Sequence, residues 1–131
     1  MIGADTSVLV RYLVGTPPAQ ARRAARLIDS EEQIGVSVVA LAECAHVLRT
    51  QYGIGQRDVI DALIGLVQRE NVSVIDARTD ILVAMLVRAR DLAGRPIPDA
   101  IIVGAALAAD AIPLATFDGN QRRYGIAIRE P

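Results

Sequence analysis

Met1-Ile2-Gly3-Ala4-Asp5-Thr6-Ser7-Val8-Leu9-Val10-Arg11-Tyr12-Leu13-Val14 changes character at a single acidic residue. Before Asp5, the apolar run Met1 to Ala4 reads as a strand. After it, Val8 to Val14 reads as a helix closed by Gly15. The same alternation continues along the chain. Further strands are expected at about Ile34 to Val36, Val72 to Ile75, Ile112 to Ala115 and Ile126 to Ile128, each short enough to lie in a covered sheet. Helices fill the intervals: one from near Ala19 behind Pro17-Pro18, one over Ser37 to Gln51, one over Gly55 to Glu70, and one over Ala77 to Ala93, stopped by Gly94 and Pro96. A sixth begins near Asp99, and its Gly104, Ala105, Ala106, Ala108 and Ala109 would let it approach the sheet closely. The expected class is α/β, helices around a mainly parallel sheet, in one domain over residues 1–131 with no repeat or long linker.

Composition narrows the function. With 52% apolar residues and a net charge of -1, the chain is too hydrophobic and too neutral to be disordered and can build a core. All fourteen basic residues are arginine, which removes chemistry that needs an amine: P-loop phosphate binding, Schiff bases and pyridoxal phosphate. Base-stacking side chains are limited to Tyr12, Tyr52, Tyr124 and Phe117. The lone Cys44 forms no internal disulfide and the N-terminus carries no leader pattern, so a cytoplasmic protein is expected. The most apolar stretch, Ala100 to Phe117, is broken by Asp110 and Pro113 and reads as a helix turning into a strand, not as a membrane span. Asn71-Val72-Ser73 has the glycosylation pattern, without meaning in a cytoplasmic chain.

Asp5, Glu43, Asp99 and Asp118 stand in apolar settings, where burying a charge is expensive unless something compensates it. In open parallel sheets ligands bind beyond the carboxyl ends of the strands, where Asp5 and Asp118 are expected. Asp99 would join from the start of the sixth helix, and Glu43 from about 9 Å along the third. Two carboxylates about 5 Å apart repel by roughly 3 kcal/mol at an effective dielectric of 20, so a converging set takes up protons or holds cations. All-oxygen ligation favours Mg²⁺ or Mn²⁺ over zinc, and a divalent pair serves phosphodiester hydrolysis without a histidine base. Plainer readings stand beside this one. Asp5 and Asp99 suit helix caps, and Asp118-Gly119-Asn120 suits a turn. Glu43, with Val39 and Val47 one turn to either side, lies on an apolar stripe and has no such simple account.

Other candidates carry less. Cys44 and His46 lie about 200° apart around a helix and cannot share a metal. Gly53-Ile54-Gly55 lacks the third glycine and the preceding strand of a dinucleotide site. Arg22, Arg23 and Arg26 share a helical surface that suits either solvent or phosphate, and Arg122 and Arg123 lie close to Asp118.

With these residues in order, the chain resembles a PIN domain, specifically the small toxins of the VapC type, over essentially its whole length. The likeness rests on Ile2-Gly-Ala-Asp5-Thr6-Ser7, Glu43, Pro98-Asp99-Ala-Ile-Ile102 and Thr116-Phe-Asp118. It implies a three-layer α/β/α domain with a five-stranded sheet ordered 3-2-1-4-5, which puts Asp5 beside Asp118. It also implies an Mg²⁺- or Mn²⁺-dependent endoribonuclease in which Thr6 and Thr116 orient waters or carboxylates. Asn120 stands where many relatives carry a further acid, so RNA phosphate would complete the second metal's ligation. The implied partners are RNA, contacted by Arg22, Arg26, Arg122 and Arg123, a second copy in a homodimer, and a VapB-like antitoxin. The antitoxin would place a basic side chain among the acids. The alternative is a PIN scaffold that binds RNA or protein without cutting. A haloacid dehalogenase-type phosphatase is excluded because Ser7 stands where a second aspartate is needed and lysine is absent. A response-regulator receiver fails for the same missing lysine.

Overall fold

Every strand pairing in the chain is parallel, as the alternation of short apolar runs with helices requires. The computed structural model describes all residues, Met1–Pro131. They gather into two compact units, Met1–Asp76 and Ala77–Pro131. The α/β class stands as expected. No helix is long and apolar enough to cross a membrane.

In the first unit, β1 (Ile2–Gly3), β2 (Ile34–Val36) and β3 (Val72–Val74) form one sheet with β2 in the centre. Ile2 pairs with Ile34 and Ile34 with Val72, so the strand starts are level. The connection from β1 to β2 runs through α1 (Thr6–Val14) and α2 (Pro18–Ile28). That from β2 to β3 runs through α3 (Val38–Thr50) and α4 (Gln56–Val67). α1 packs on α2 and α3, and α3 on α4. The core is aliphatic: Leu9 and Val10 of α1, Ile28 of α2, Leu41, Cys44 and Leu48 of α3, and Val59, Ile60 and Leu63 of α4 are buried. Burial pushes the Cys44 thiol up to about 11, which keeps it protonated and inert at neutral pH. His46, on the same helix, is exposed. The Asn71 amide donates to the carbonyls of Ile28, Ser30 and Glu32 at 2.9, 3.2 and 3.0 Å, so the residue with the glycosylation pattern has a structural task.

In the second unit, α5 (Thr79–Ala89) and α6 (Pro96–Ala108) pack face to face. They are followed by β4 (Leu114–Ala115), a 3₁₀ turn over Gly119–Tyr124, and β5 (Ile128–Arg129). Leu114 pairs with Ile128 and Ala115 with Arg129. The small residues of α6 were expected to face a sheet, yet Gly104 lies against α5: a Cβ there would be 3.7 Å from the Leu82 Cα. That is ordinary van der Waals contact, so Gly104 packs on α5 at a distance that an alanine would also allow.

Two expectations need correction. Hydrogen bonding gives a sheet ordered β1-β2-β3 and a separate pair β4-β5 in place of one continuous five-stranded sheet. The strands involved are the shortest, two residues each, and Pro113 has no N–H to donate just ahead of β4. α6 starts at Pro96 and not near Asp99. Proline in the first helical turn loses a hydrogen bond that the helix lacks there anyway, so Pro96 opens this helix instead of merely ending the previous one.

Candidate functional site

In the first unit the chain leaves β1 through a last strand bond, Ala4 N–H to the Gly35 carbonyl at 2.9 Å, and Asp5 follows at once. Asp5 has extended backbone and caps α1: its Oδ1 accepts the Thr6 N–H at 2.7 Å. Its Oδ2 has only a long contact, 3.4 Å, from the Ser7 hydroxyl. The helix therefore occupies one carboxylate oxygen and leaves the other available. Thr6 then turns its hydroxyl to Glu43, donating to Oε2 at 2.9 Å. Glu43 is carried by α3, whose first turn is fixed twice. Ser37 Oγ accepts from Ala40 N–H at 3.1 Å, and Asp76 Oδ1 accepts from Val38 N–H at 2.9 Å. Thr6 thus joins the strand-end acid to the helix acid, its backbone N–H bonded to Asp5 and its hydroxyl to Glu43.

The second unit holds the other two acids. Asp99 lies inside the first turn of α6, half-buried, and does not cap it. Its Oδ1 accepts from Gln121 Nε2 at 3.3 Å, and Gln121 Oε1 lies 3.5 Å from the Thr116 hydroxyl. Thr116 Oγ1 accepts the Asp118 N–H at 2.9 Å. Asp118 caps the 3₁₀ turn, its Oδ1 accepting the Asn120 N–H at 2.9 Å. The turn is pinned to α6 by Tyr124, whose buried hydroxyl donates to the Pro96 carbonyl at 2.6 Å. Desolvation, and after it the Asp99 charge, pushes the Tyr124 phenol up to about 12.

Three of the acids, Asp5, Glu43 and Asp118, are exposed, against the expectation of buried charge. The apolar stripe inferred around Glu43 faces outward: Val39 is 63% exposed, and α3 buries Ala40, Leu41, Cys44, Ala45 and Leu48 instead. None of the four carboxylates is in an ion pair. Neither unit by itself gathers three or more Asp, Glu, His or Cys side chains into a metal-holding group. Each unit does hold two carboxylates with an oxygen to spare. This hard donor set suits Mg²⁺, which keeps several waters and takes one or two protein carboxylates together with substrate phosphate.

The arginines divide. Arg22 and Arg26 are exposed on α2, while Arg23 joins Ser7, Arg11 and Gln20 around an open groove of about 510 Å³ between α1 and α2. Arg11 Nε donates to Gln20 at 2.7 Å. Arg122 is exposed, whereas Arg123 donates to the Asn120 and Ala93 carbonyls at 3.1 and 3.4 Å and so holds its own unit together. Of the aromatics, Phe117 is 84% exposed and Tyr124 is buried.

Gln121 and Asp76 escaped the sequence reading. Asp76 carried no mark beyond following an apolar strand. For Gln121 the mark was its spacing from Tyr124. Residues i and i+3 of a 3₁₀ turn eclipse one another, so both turn inward while Arg122 and Arg123 do not.

Parallel strands running into helices, with Asp5 just beyond β1 and Asp99 in the first turn of α6, define an α/β protein of the kind that binds ligands at its strand ends. The PIN domain family matches residues 3–127, so the chain belongs to that family, whose fold is typically that of a nuclease. A comparison with curated proteins finds no match.

Proposed function

We propose that the chain is a Mg²⁺- or Mn²⁺-dependent endoribonuclease, the toxin of a toxin-antitoxin pair. One observation carries the reading: in each unit a neutral side chain holds an acid, Thr6 holding Glu43 and Gln121 holding Asp99, with no arginine paired to either of these or to Asp5 and Asp118. Surface acids kept only for solubility have no need of such ties, and two uncompensated carboxylates favour a cation. Asp5 and Glu43 in the first unit, and Asp99 and Asp118 in the second, are the residues that would serve as metal ligands. When bound, the ion supplies positive charge against phosphate and lowers the pKa of water. Thr6 fixes the direction of the Glu43 carboxylate, and Thr116 fixes the loop that carries Asp118. That the single family match runs through both units supports reading residues 1–131 as one domain.

On this reading RNA is the substrate, with Arg22, Arg26 and Arg122 as exposed phosphate contacts and Arg123 the weakest of the four. The protein acts in the cytoplasm as a homodimer and is silenced by a VapB-like antitoxin, whose basic side chain would replace the cation among the acids. Incubation of the purified protein with total RNA tests the reading. Cleavage is expected in Mg²⁺ or Mn²⁺ and not with chelator. RNA that is bound and left intact in both metals favours the non-cutting PIN scaffold instead.

A further inference from the structure

We propose that Gln121 is a positioning residue that sets the Asp99 carboxylate for metal binding, an inference that rests on the metal-dependent reading above. Apart from the Tyr124 hydroxyl, Gln121 is the one polar side chain in the buried set, 7% exposed. Burying an amide without partners costs about 1–3 kcal/mol, so its hydrogen bonds decide whether it is tolerated. It has two, and they run to two different functional residues.

The orientation of the amide follows from its neighbours. A carboxylate only accepts, so the NH₂ end must face Asp99 Oδ1, and Oε1 is thereby turned to the Thr116 hydroxyl. Thr116 Oγ1 already accepts from Asp118 N–H, which leaves its own hydrogen for Gln121 Oε1 or the Asp118 carbonyl. A single side chain thus fixes one oxygen of Asp99 and is linked to the loop leading to Asp118. The backbone beneath it is held by Tyr124, three residues on, bonded to Pro96, three residues before Asp99. Neutrality matters as well. An arginine in this place would satisfy the Asp99 charge and compete with a cation, whereas an amide orients the carboxylate without bringing a positive charge to it.

The test is a Mn²⁺ titration of the full chain, read as the dissociation constant, with thermal unfolding run in parallel. Gln121→Met keeps the side-chain length and removes both hydrogen bonds. Binding is expected to weaken about 10- to 100-fold, the range for loss of a group that orients a metal ligand. The KM for RNA at saturating Mn²⁺ is expected to stay within about twofold of wild type, since the phosphate contacts are untouched. In an Asp99→Asn background the same substitution is expected to add nothing, because its effect passes through that carboxylate. Should Gln121→Met fail to fold, Gln121→Asn, whose shorter amide cannot reach both partners, is read in its place with the same expectation. Wild-type affinity in a folded variant, or an equal loss in the Asp99→Asn background, overturns the positioning role alone. A wild-type protein that neither binds Mn²⁺ nor cleaves RNA overturns the metal-dependent reading and this role with it.

Discussion

Asp5→Asn and Asp99→Asn are each expected to lower metal-dependent RNA cleavage by on the order of 10²- to 10³-fold, the loss typical when a preorganised electrostatic contact to the reaction is removed. Asparagine is the informative choice because it separates two roles of Asp5. It caps helices about as well as aspartate, so the bond from the Thr6 N–H is retained and stability should change by less than about 0.5 kcal/mol. If capping α1 were the whole purpose of Asp5, the variant would be as active as wild type. Asp99 needs no such separation: it lies within the first turn of α6 without capping it, and its carboxylate accepts from Gln121. Single-turnover cleavage with thermal unfolding of the same preparations measures both effects. Full activity in either variant removes that residue from the site.

The largest stability effect is expected at Tyr124. It is 1% exposed and fills the space between the 3₁₀ turn and α6, so Tyr124→Ala should cost about 3–5 kcal/mol, the usual range for removing a buried aromatic. Tyr124→Phe keeps the ring and leaves the Pro96 carbonyl without its donor, for a smaller loss of about 1–2 kcal/mol. The hydroxyl also gives the protein an alkaline limit. Burial, and secondly Asp99, raises the folded pKa from the ordinary 10.0 to about 12, so the neutral phenol is favoured in the folded state. A group raised in this way stabilises fully below its unfolded pKa. That contribution is lost as pH climbs from about 10 through 12. Wild-type stability should therefore fall over this window more steeply than that of Tyr124→Phe, narrowing the gap between them. Urea unfolding from pH 9 to 12 measures the gap, and a constant difference contradicts the assignment. Tyr12, whose pKa is also raised by burial, is common to both proteins and cancels from the comparison.

How far the sequence could be read depended on what decides each feature. β2 forms at Ile34–Val36 as expected because all three residues are buried, and a buried apolar run has few alternatives. β1 and β4 are two residues long where four were expected, since apolar character locates a strand but hydrogen-bond partners set its length. α5 ends at Ala89, short of the Ala93 that Gly94 suggested. Asp5 and Asp118 lie beyond their strands as expected. The environment of Glu43 was misread: a stripe of Val39, Glu43 and Val47 is equally consistent with the outer side of a helix whose buried face is already complete. For Gln121 the only mark was the i, i+3 spacing from Tyr124, which is weak because a six-residue 3₁₀ turn has no long periodicity and glutamine is ordinarily a surface residue.

These residues share one logic. Neutral side chains hold the acids: Thr6 holds Glu43, and Gln121 holds Asp99. Glu43 and Asp99 are thereby oriented without a basic partner to neutralise them. The most direct test of that account is the nature of the ends left on RNA by the wild-type protein in Mg²⁺. Hydrolysis by water leaves linear phosphate and hydroxyl ends and stops completely on chelation. Ends carrying 2′,3′-cyclic phosphate, the product of attack by the neighbouring 2′-hydroxyl, or cutting that continues in chelator, would contradict it.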